Sequence, residues 1–242
     1  MTSTNQICNL MFIATGNLLF SEMRILVFSD IHGDLESVKT LMNCIRQKQY
    51  SVVIFAGDFT SFEDVQERYQ KIMEILTCLK APIYYVYGNR DLPPPKPTYP
   101  TYLSQGIKVG IGEGLSITSD ANKVDQNTIY VSHKSNLFQR NAFIHIEGHI
   151  HMGVKYQNYL NTGFLYRDAY HGAKPLLGCF WELSIQNHQA SIQWHNLGDM
   201  REVNCPKHSY VSSYVPIFWG ECPFCYNKRN EAWLTTFLLK RS

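Results

Sequence analysis

Apolar residues fall in short, punctuated runs along the first third of the chain, and their period alternates between strand and helix. Arg24–Ser29 is an apolar run that predicts a strand. Asp34 stands at the N-cap position of a helix in which Val38, Leu41, Met42 and Ile45 recur at helical spacing. Ser51–Ala56 predicts a second strand and Pro82–Tyr87 a third. Between them, Phe62–Leu79 predicts a helix with Val65, Tyr69, Ile72, Ile75, Leu76 and Leu79 on one face. A βαβαβ order implies parallel strands with right-handed crossovers.

Pro93, Pro94, Pro95, Pro97 and Pro100 then predict an exposed loop. Beyond it the pattern becomes strand-rich, with runs at Lys108–Ile111, Leu115–Thr118, Thr128–Ser132, Phe143–Ile146 and Tyr159–Leu160. Cys179–Ile185 and Ala190–His195, joined by Gln186–Gln189, read as a closing hairpin. Residues 23–198 therefore read as an α/β unit of two sheets packed face to face, with helices outside.

The chemistry gathers where these runs end. The peptides are Ser29–Gly33 (SDIHG), Gly57–Asp58, Gly88–Asp91 (GNRD), Val131–His133 (VSH) and Gly148–His151 (GHIH). Strand C-termini in α/β proteins open onto the ligand crevice. On an extended segment Asp30 and His32 leave the same side and grip one ion. Asp58 is placed where it could bridge two ions, Asn89 offers a neutral oxygen, and His149 and His151, alternating in phase, could place one imidazole on each metal. With His133 this is a ligand set for two divalent ions, which suits phosphate-ester hydrolysis. His145 shares the phase of His149 and His151, as a supporting or structural group. His171, His188 and His195 read as surface or local hydrogen-bonding residues.

These five blocks, in this order, resemble the calcineurin-like metallophosphoesterase family over residues 23–198. The resemblance implies a four-layer α/β/β/α sandwich. It implies one metal on Asp30, His32, Asp58 and His151, and a second on Asp58, Asn89, His133 and His149. The ions, whether manganese, iron, nickel or zinc, would activate a water for in-line attack on phosphorus. Arg90 stands where the family usually has a histidine. It is a poor proton donor, but its fork of N–H groups can neutralise leaving-group or phosphoryl charge. Asp91, which in the family orients that histidine, is expected to pair with Arg90. Asn161-Thr162-Gly163 resembles a later family block, with Thr162 in place of the usual proline.

The 242 residues carry a net charge of +2, which gives no argument for a polyanionic partner. No apolar run is long enough to span a membrane, so no membrane partner is expected. Residues 1–22 read as an N-terminal extension, with Met23 as an alternative start; residues 1–20 contain no Lys or Arg, so the positive region of a secretory signal is missing. The seven cysteines read as reduced cytoplasmic thiols plus a metal site. That site is Cys205-x2-His208 with Cys222-x2-Cys225, a spacing suited to one structural zinc. Residues 199–242 thus read as a zinc-binding appendage ending in a short helix, Glu231–Lys240, that docks in cis or completes a homodimer. The aromatic stretch between the two pairs is expected to pack on the main domain or a partner.

The leading reading is hydrolysis of a small phosphomonoester or phosphodiester, with Lys96, Tyr99 and Tyr102 of the proline loop available to contact phosphate or a ring. A metal-binding regulatory protein is the alternative. A nuclease is a further one, less favoured because residues 199–242 hold only six Lys/Arg against four Asp/Glu.

Overall fold

The computed structural model describes residues 22–60, 65–91, 101–103, 106–168, 174–226 and residue 238. The first half runs β1 (Met23–Phe28), α1 (Leu35–Ile45), β2 (Val52–Phe55), α2 (Val65–Thr77), β3 (Ile83–Tyr85) and β4 (Thr101–Tyr102). Six strands follow: β5 (Lys108–Gly112), β6 (Leu115–Thr118), β7 (Thr128–Val131), β8 (Ile144–Glu147), β9 (Gly153–Tyr156) and β10 (Tyr159–Thr162). After the short β11 (Tyr166–Arg167) and β12 (Leu176–Leu177) come β13 (Cys179–Gln186) and β14 (Gln189–Asn196). The tail carries β15 (Met200–Val203), β16 (Ser212–Pro216) and α3 (Pro223–Tyr226).

Two mixed sheets result, with strand orders β14-β13-β1-β2-β3-β4 and β15-β16-β9-β10-β8-β7-β6-β5. Alternation along β1 explains the layering. Ile25 and Val27 point between the sheets, where they meet Ile54, Ile117, Ile129, Ile146 and Trp181. Leu26 and Phe28 point the other way, onto Val38 and Leu41 of α1 and Ile72 and Leu76 of α2. Asp34 caps α1 by accepting from the Ser37 amide at 2.6 Å, as its sequence position predicts. A third apolar cluster covers the far side of the second sheet, joining Val154 and Tyr159 to Val211, Cys222, Phe224 and Leu238 of the tail. The architecture is the expected α/β fold of two sheets flanked by helices.

Several expectations need amendment. The N-terminal start of α2 at Phe62 lies outside the described residues, and its C-terminus falls at Thr77 rather than Leu79. There the amides of Cys78, Leu79 and Lys80 bond back three residues, and Lys80 takes a φ of 53° that ends the helix. Sequence pattern missed β4, β9, β11, β12, β15 and β16. The aromatic stretch of the tail supplies β16, whose Ser213 and Tyr214 pair with Val154 and Gly153 of β9. Met200 and Tyr214 enter the core between the sheets. Residues 1–21, the proline loop from 92 to 100, His171 and most of the terminal helix lie outside the described residues. Among the described residues no helix is long and apolar enough to cross a membrane.

Candidate active site

The loops after β1 and β2 are zipped together by backbone. The Asp30 amide donates to Gly57 O at 2.9 Å, those of Ile31 and His32 to Asp58 O at 2.9 and 3.1 Å, and that of Gly33 to Phe59 O at 2.7 Å. This corrects the extended geometry expected for Asp30-x-His32. β1 ends at Phe28, and Asp30 and His32 both adopt left-handed backbone, with φ of 53° and 49°. The same holds beyond β8, where His149 and His151 have φ of 75° and 54°, and for Asp58 at 61°. Such conformations cost non-glycine residues on the order of 1 kcal/mol each, least for Asp and His, and they concentrate where function over-determines the backbone.

The loops bring together every side chain expected at the dinuclear site. His151 Nε2 lies 3.1 Å from Asp30 Oδ1 and 3.1 Å from His32 Nε2, and His32 Nε2 lies 3.7 Å from Asp30 Oδ1. Ligand atoms about 2.1 Å from one ion stand roughly 3.0 to 3.4 Å apart in octahedral or tetrahedral geometry, close to these edges. On the other side His133 Nε2 approaches Asp58 Oδ2 at 3.4 Å and Asn89 Oδ1 at 3.1 Å. The same Asn89 oxygen lies 2.9 Å from His149 Nδ1. His133 Nδ1 donates to Ala56 O at 2.8 Å, which fixes the tautomer and leaves Nε2 as a donor to a cation.

Two overlapping donor sets emerge, Asp30-His32-His151 and Asp30-Asp58-His133, with the ligand atoms of each within 4.8 Å of one another. Asp30 is common to both.

Asp91 acts on backbone. Where the sequence suggested partnership with Arg90, its carboxylate accepts from the amides of Asp58 and Gly88 at 2.8 Å each and of Thr60 at 3.2 Å. The Arg90 amide in turn donates to Asp58 Oδ1 at 2.8 Å. Close approach explains two glycines. A Cβ on Gly88 would stand 2.0 Å from Asp58 Oδ1, and one on Gly148 would stand 2.6 Å from Asp30 Oδ2.

A buried polar layer supports the ligands, and little of it was legible in the sequence. Ser29 Oγ donates to Asp30 Oδ2 and lies 2.5 Å from Thr162 Oγ1, which donates to Glu147 O at 3.0 Å. Glu147 accepts from Ser132 Oγ, the Ser135 amide and Tyr159 OH at 3.0, 2.8 and 2.9 Å. His145 Nε2 lies 3.2 Å from the same carboxylate, so His145 braces the loop that carries His133. His195 lies 2.8 Å from Glu182 on β13, and Tyr102 packs against Tyr87 in a tilted pair at 4.4 Å between centroids.

The charges are strongly coupled. Burial opposes ionisation of Asp30, but the His151 hydrogen bond and the charges of His133, His151 and His32 hold its carboxyl well below the usual range. Burial also disfavours a charged His133, yet Asp58 and Asp30 raise it to about 9. His149 is pushed down to about 4 by burial and the charges of His133 and Lys134. Asp91 is lifted to about 6 by burial and then by Asp58, against its amide donors. Buried carboxylates facing imidazoles in this way fit divalent cations, which take the place of protons.

The tail holds a separate cluster. His208 Nδ1 lies 3.5, 3.4 and 3.6 Å from the sulfurs of Cys205, Cys222 and Cys225, and the sulfurs of Cys205 and Cys225 are 3.5 Å apart. Tetrahedral zinc, with bonds of about 2.3 Å to sulfur and 2.0–2.1 Å to nitrogen, requires S–N edges of about 3.5 Å and S–S edges of about 3.8 Å. The fit is that of a closed four-ligand metal site.

The sequence pattern described as calcineurin-like phosphoesterase matches residues 23–177, and the chain belongs to that family. A Thermus thermophilus protein shares the fold at 12% identity and a TM-score of 0.51, over 73% of this chain and 100% of that one. Yfce, a phosphoesterase from E. coli, matches at 16% identity and 0.43, over 73% and 100%. An archaeal phosphodiesterase matches at 18% and 0.46, over 72% and 100%. No curated protein matches the chain. Family membership and the two donor sets support a metal-dependent phosphoesterase activity.

Proposed function

We propose that the protein hydrolyses a small phosphomonoester or phosphodiester at a dinuclear centre formed by Asp30, His32, Asp58, Asn89, His133, His149 and His151. The overlap of the two donor sets at Asp30, with Asp58 beside it, carries this reading. Divalent ions held there, with manganese the first to try, supply Lewis acidity toward phosphoryl oxygens and lower the pKa of water. The chain's own part is positional. Asp91 fixes the amides of Asp58, Gly88 and Thr60, so the Asp58 and Asn89 loops keep their spacing. His133, tied to Ala56 O, presents one nitrogen inward. Arg90, next to Asn89, is the group we assign to neutralising charge on the departing oxygen.

The tail cluster is assigned one structural zinc, which ties Cys205 and His208 to the loop holding Cys222 and Cys225. Outside that site Cys44, Cys78 and Cys179 are free thiols, which supports a cytoplasmic setting.

The test is hydrolysis of p-nitrophenyl phosphate and bis(p-nitrophenyl) phosphate by manganese-reconstituted protein. Turnover that disappears on chelation and returns with manganese is expected, and the preferred ester assigns the substrate class. Absence of turnover on both, with manganese bound, would overturn the reading.

A further inference from the structure

The dinuclear site opens beside a cavity of about 220 Å³ lined by His149, Ile150, His151, Arg167 and Trp219. This cavity combines three kinds of chemistry. His149 and His151 belong to the candidate metal site. Arg167, on β11, brings a guanidinium to the same wall. Trp219 comes from the tail, 42 residues beyond the part of the chain that matches the family.

The tail is built to deliver that tryptophan. Trp219 sits in the turn after β16, where its amide bonds to Pro216 O at 2.9 Å and its carbonyl accepts from the Arg201 guanidinium of β15. Cys222, three residues on, belongs to the Cys/His cluster and anchors the other end of the turn. Ile217 and Phe218, the two residues before it, are 53% and 62% exposed. Ile150, between the two histidines, packs on the third apolar cluster, which also holds Cys205, Cys222 and Cys225. The tail and the histidine loop are thus one packed unit.

We propose that this cavity is the subsite for a planar aromatic substituent of the phosphate ester, with Trp219 stacking on the ring and Arg167 meeting a phosphoryl oxygen. The proposal rests on the phosphoesterase reading. At about 30 Å³ per water the cavity has room for roughly seven waters, the size of a one- or two-ring group and not of a polymer segment. A tryptophan face with an adjacent guanidinium suits a flat ring that carries an anion. The ring can come from an aryl ester or from a nucleobase.

Non-hydrolysable probes separate these cases. Binding of phenylphosphonate, methylphosphonate and the methylenephosphonate analogue of adenosine monophosphate is measured by calorimetry on the manganese-loaded full chain, alongside turnover of p-nitrophenyl phosphate. The parent is expected to prefer phenylphosphonate over methylphosphonate by about 5- to 100-fold, the range that ring stacking gives. Trp219→Ala should bring that ratio close to one, and Trp219→Phe should restore most of it. Arg167→Gln should weaken both simple phosphonates by a similar factor. If the adenosine analogue gains through Trp219 as phenyl does, the ring is a nucleobase; if phenyl alone gains, it is an aryl group.

A ring preference unchanged in Trp219→Ala, with turnover intact, overturns the subsite and leaves the phosphoesterase reading standing. A Trp219-dependent ring preference in a protein without any turnover does the reverse.

Discussion

Glu147 is no metal ligand, yet replacing it should damage both the fold and the site. Its carboxylate is buried, and it accepts from Ser132 Oγ, the Ser135 amide and Tyr159 OH while facing His145 Nε2 at 3.2 Å. In Glu147→Ala the Ser135 amide and the Tyr159 hydroxyl lose their acceptor, at about 1–3 kcal/mol each. His145 Nε2, on a ring whose Nδ1 already accepts from the Gln139 amide, loses its acceptor as well, at a similar cost. These overlapping costs put the loss near 4 kcal/mol. Glu147→Gln keeps shape and one acceptor and should lose about 1–2 kcal/mol.

Urea unfolding of the metal-free protein at pH 7.5 reads this directly. With a slope of about 1–3 kcal/mol per molar, the midpoint of Glu147→Ala should fall by at least about 1 M. The Ser132–Ser135 loop carries His133, so manganese affinity should fall about 10- to 100-fold, the usual effect of losing a group that holds a ligand in place. The sign with pH is also fixed. Burial raises the Glu147 carboxyl, but His145, Ser135 and Tyr159 outweigh it and hold its pKa below the ordinary 4.5. The stability it confers is present above that value and is lost as pH falls through the lower folded value, so parent and variant should converge in acid. Unfolding of Glu147→Ala within about 0.5 kcal/mol of the parent at pH 7.5 would refute the reasoning, as would unchanged manganese affinity.

Three further outcomes are expected. Gly88→Ala places a Cβ 2.0 Å from Asp58 Oδ1, so the Asp58 carboxylate must move; metal analysis should find fewer bound ions, whereas full occupancy would show that the close approach is dispensable. His133 holds a proton up to about 9 and His149 only up to about 4. Ion binding near pH 7.5 should therefore release a proton from His133 and none from His149, and affinity should weaken as pH falls. A weakly buffered manganese titration measures that release, and a zero result contradicts the assignment of His133. Cys222→Ser should remove tail zinc and lower the unfolding midpoint while leaving manganese bound at the other centre; unchanged zinc content would overturn the four-ligand tail site.

What the sequence disclosed follows from what is local in it. β1, β2 and β3 are continuous apolar runs ending in polar peptides, so strands and ligands were both visible from pattern. β9 and β16 were not: Gly153–Tyr156 is short and buries only half its residues, and Ser212–Pro216 is held as a strand by pairing with β9, far from it in sequence. The ligand set was legible, but its backbone was not. Alternation implies an extended Asp30-x-His32, whereas the amide bonds to Gly57, Asp58 and Phe59 that turn it left-handed are long-range. For the same reason the partners of Asp91, 31 and 33 residues away at Thr60 and Asp58, left no local trace. In the sequence Thr162 is a departure from the family's proline, and in the fold its hydroxyl links Ser29 to Glu147 O. The tail cluster was the reverse case, since two short knuckles carry their whole signal in their spacing.

The central claim is that the loops around Asp30 and Asp58 hold two ions that act together on a phosphate ester. It is tested most directly by counting manganese in the parent and in Asp58→Asn while measuring turnover of the better aryl phosphate in both. Two ions and turnover in the parent, with loss of an ion and of at least about a hundredfold in rate in Asp58→Asn, is the predicted result. An Asp58→Asn protein that hydrolyses the ester as fast as the parent would contradict the account.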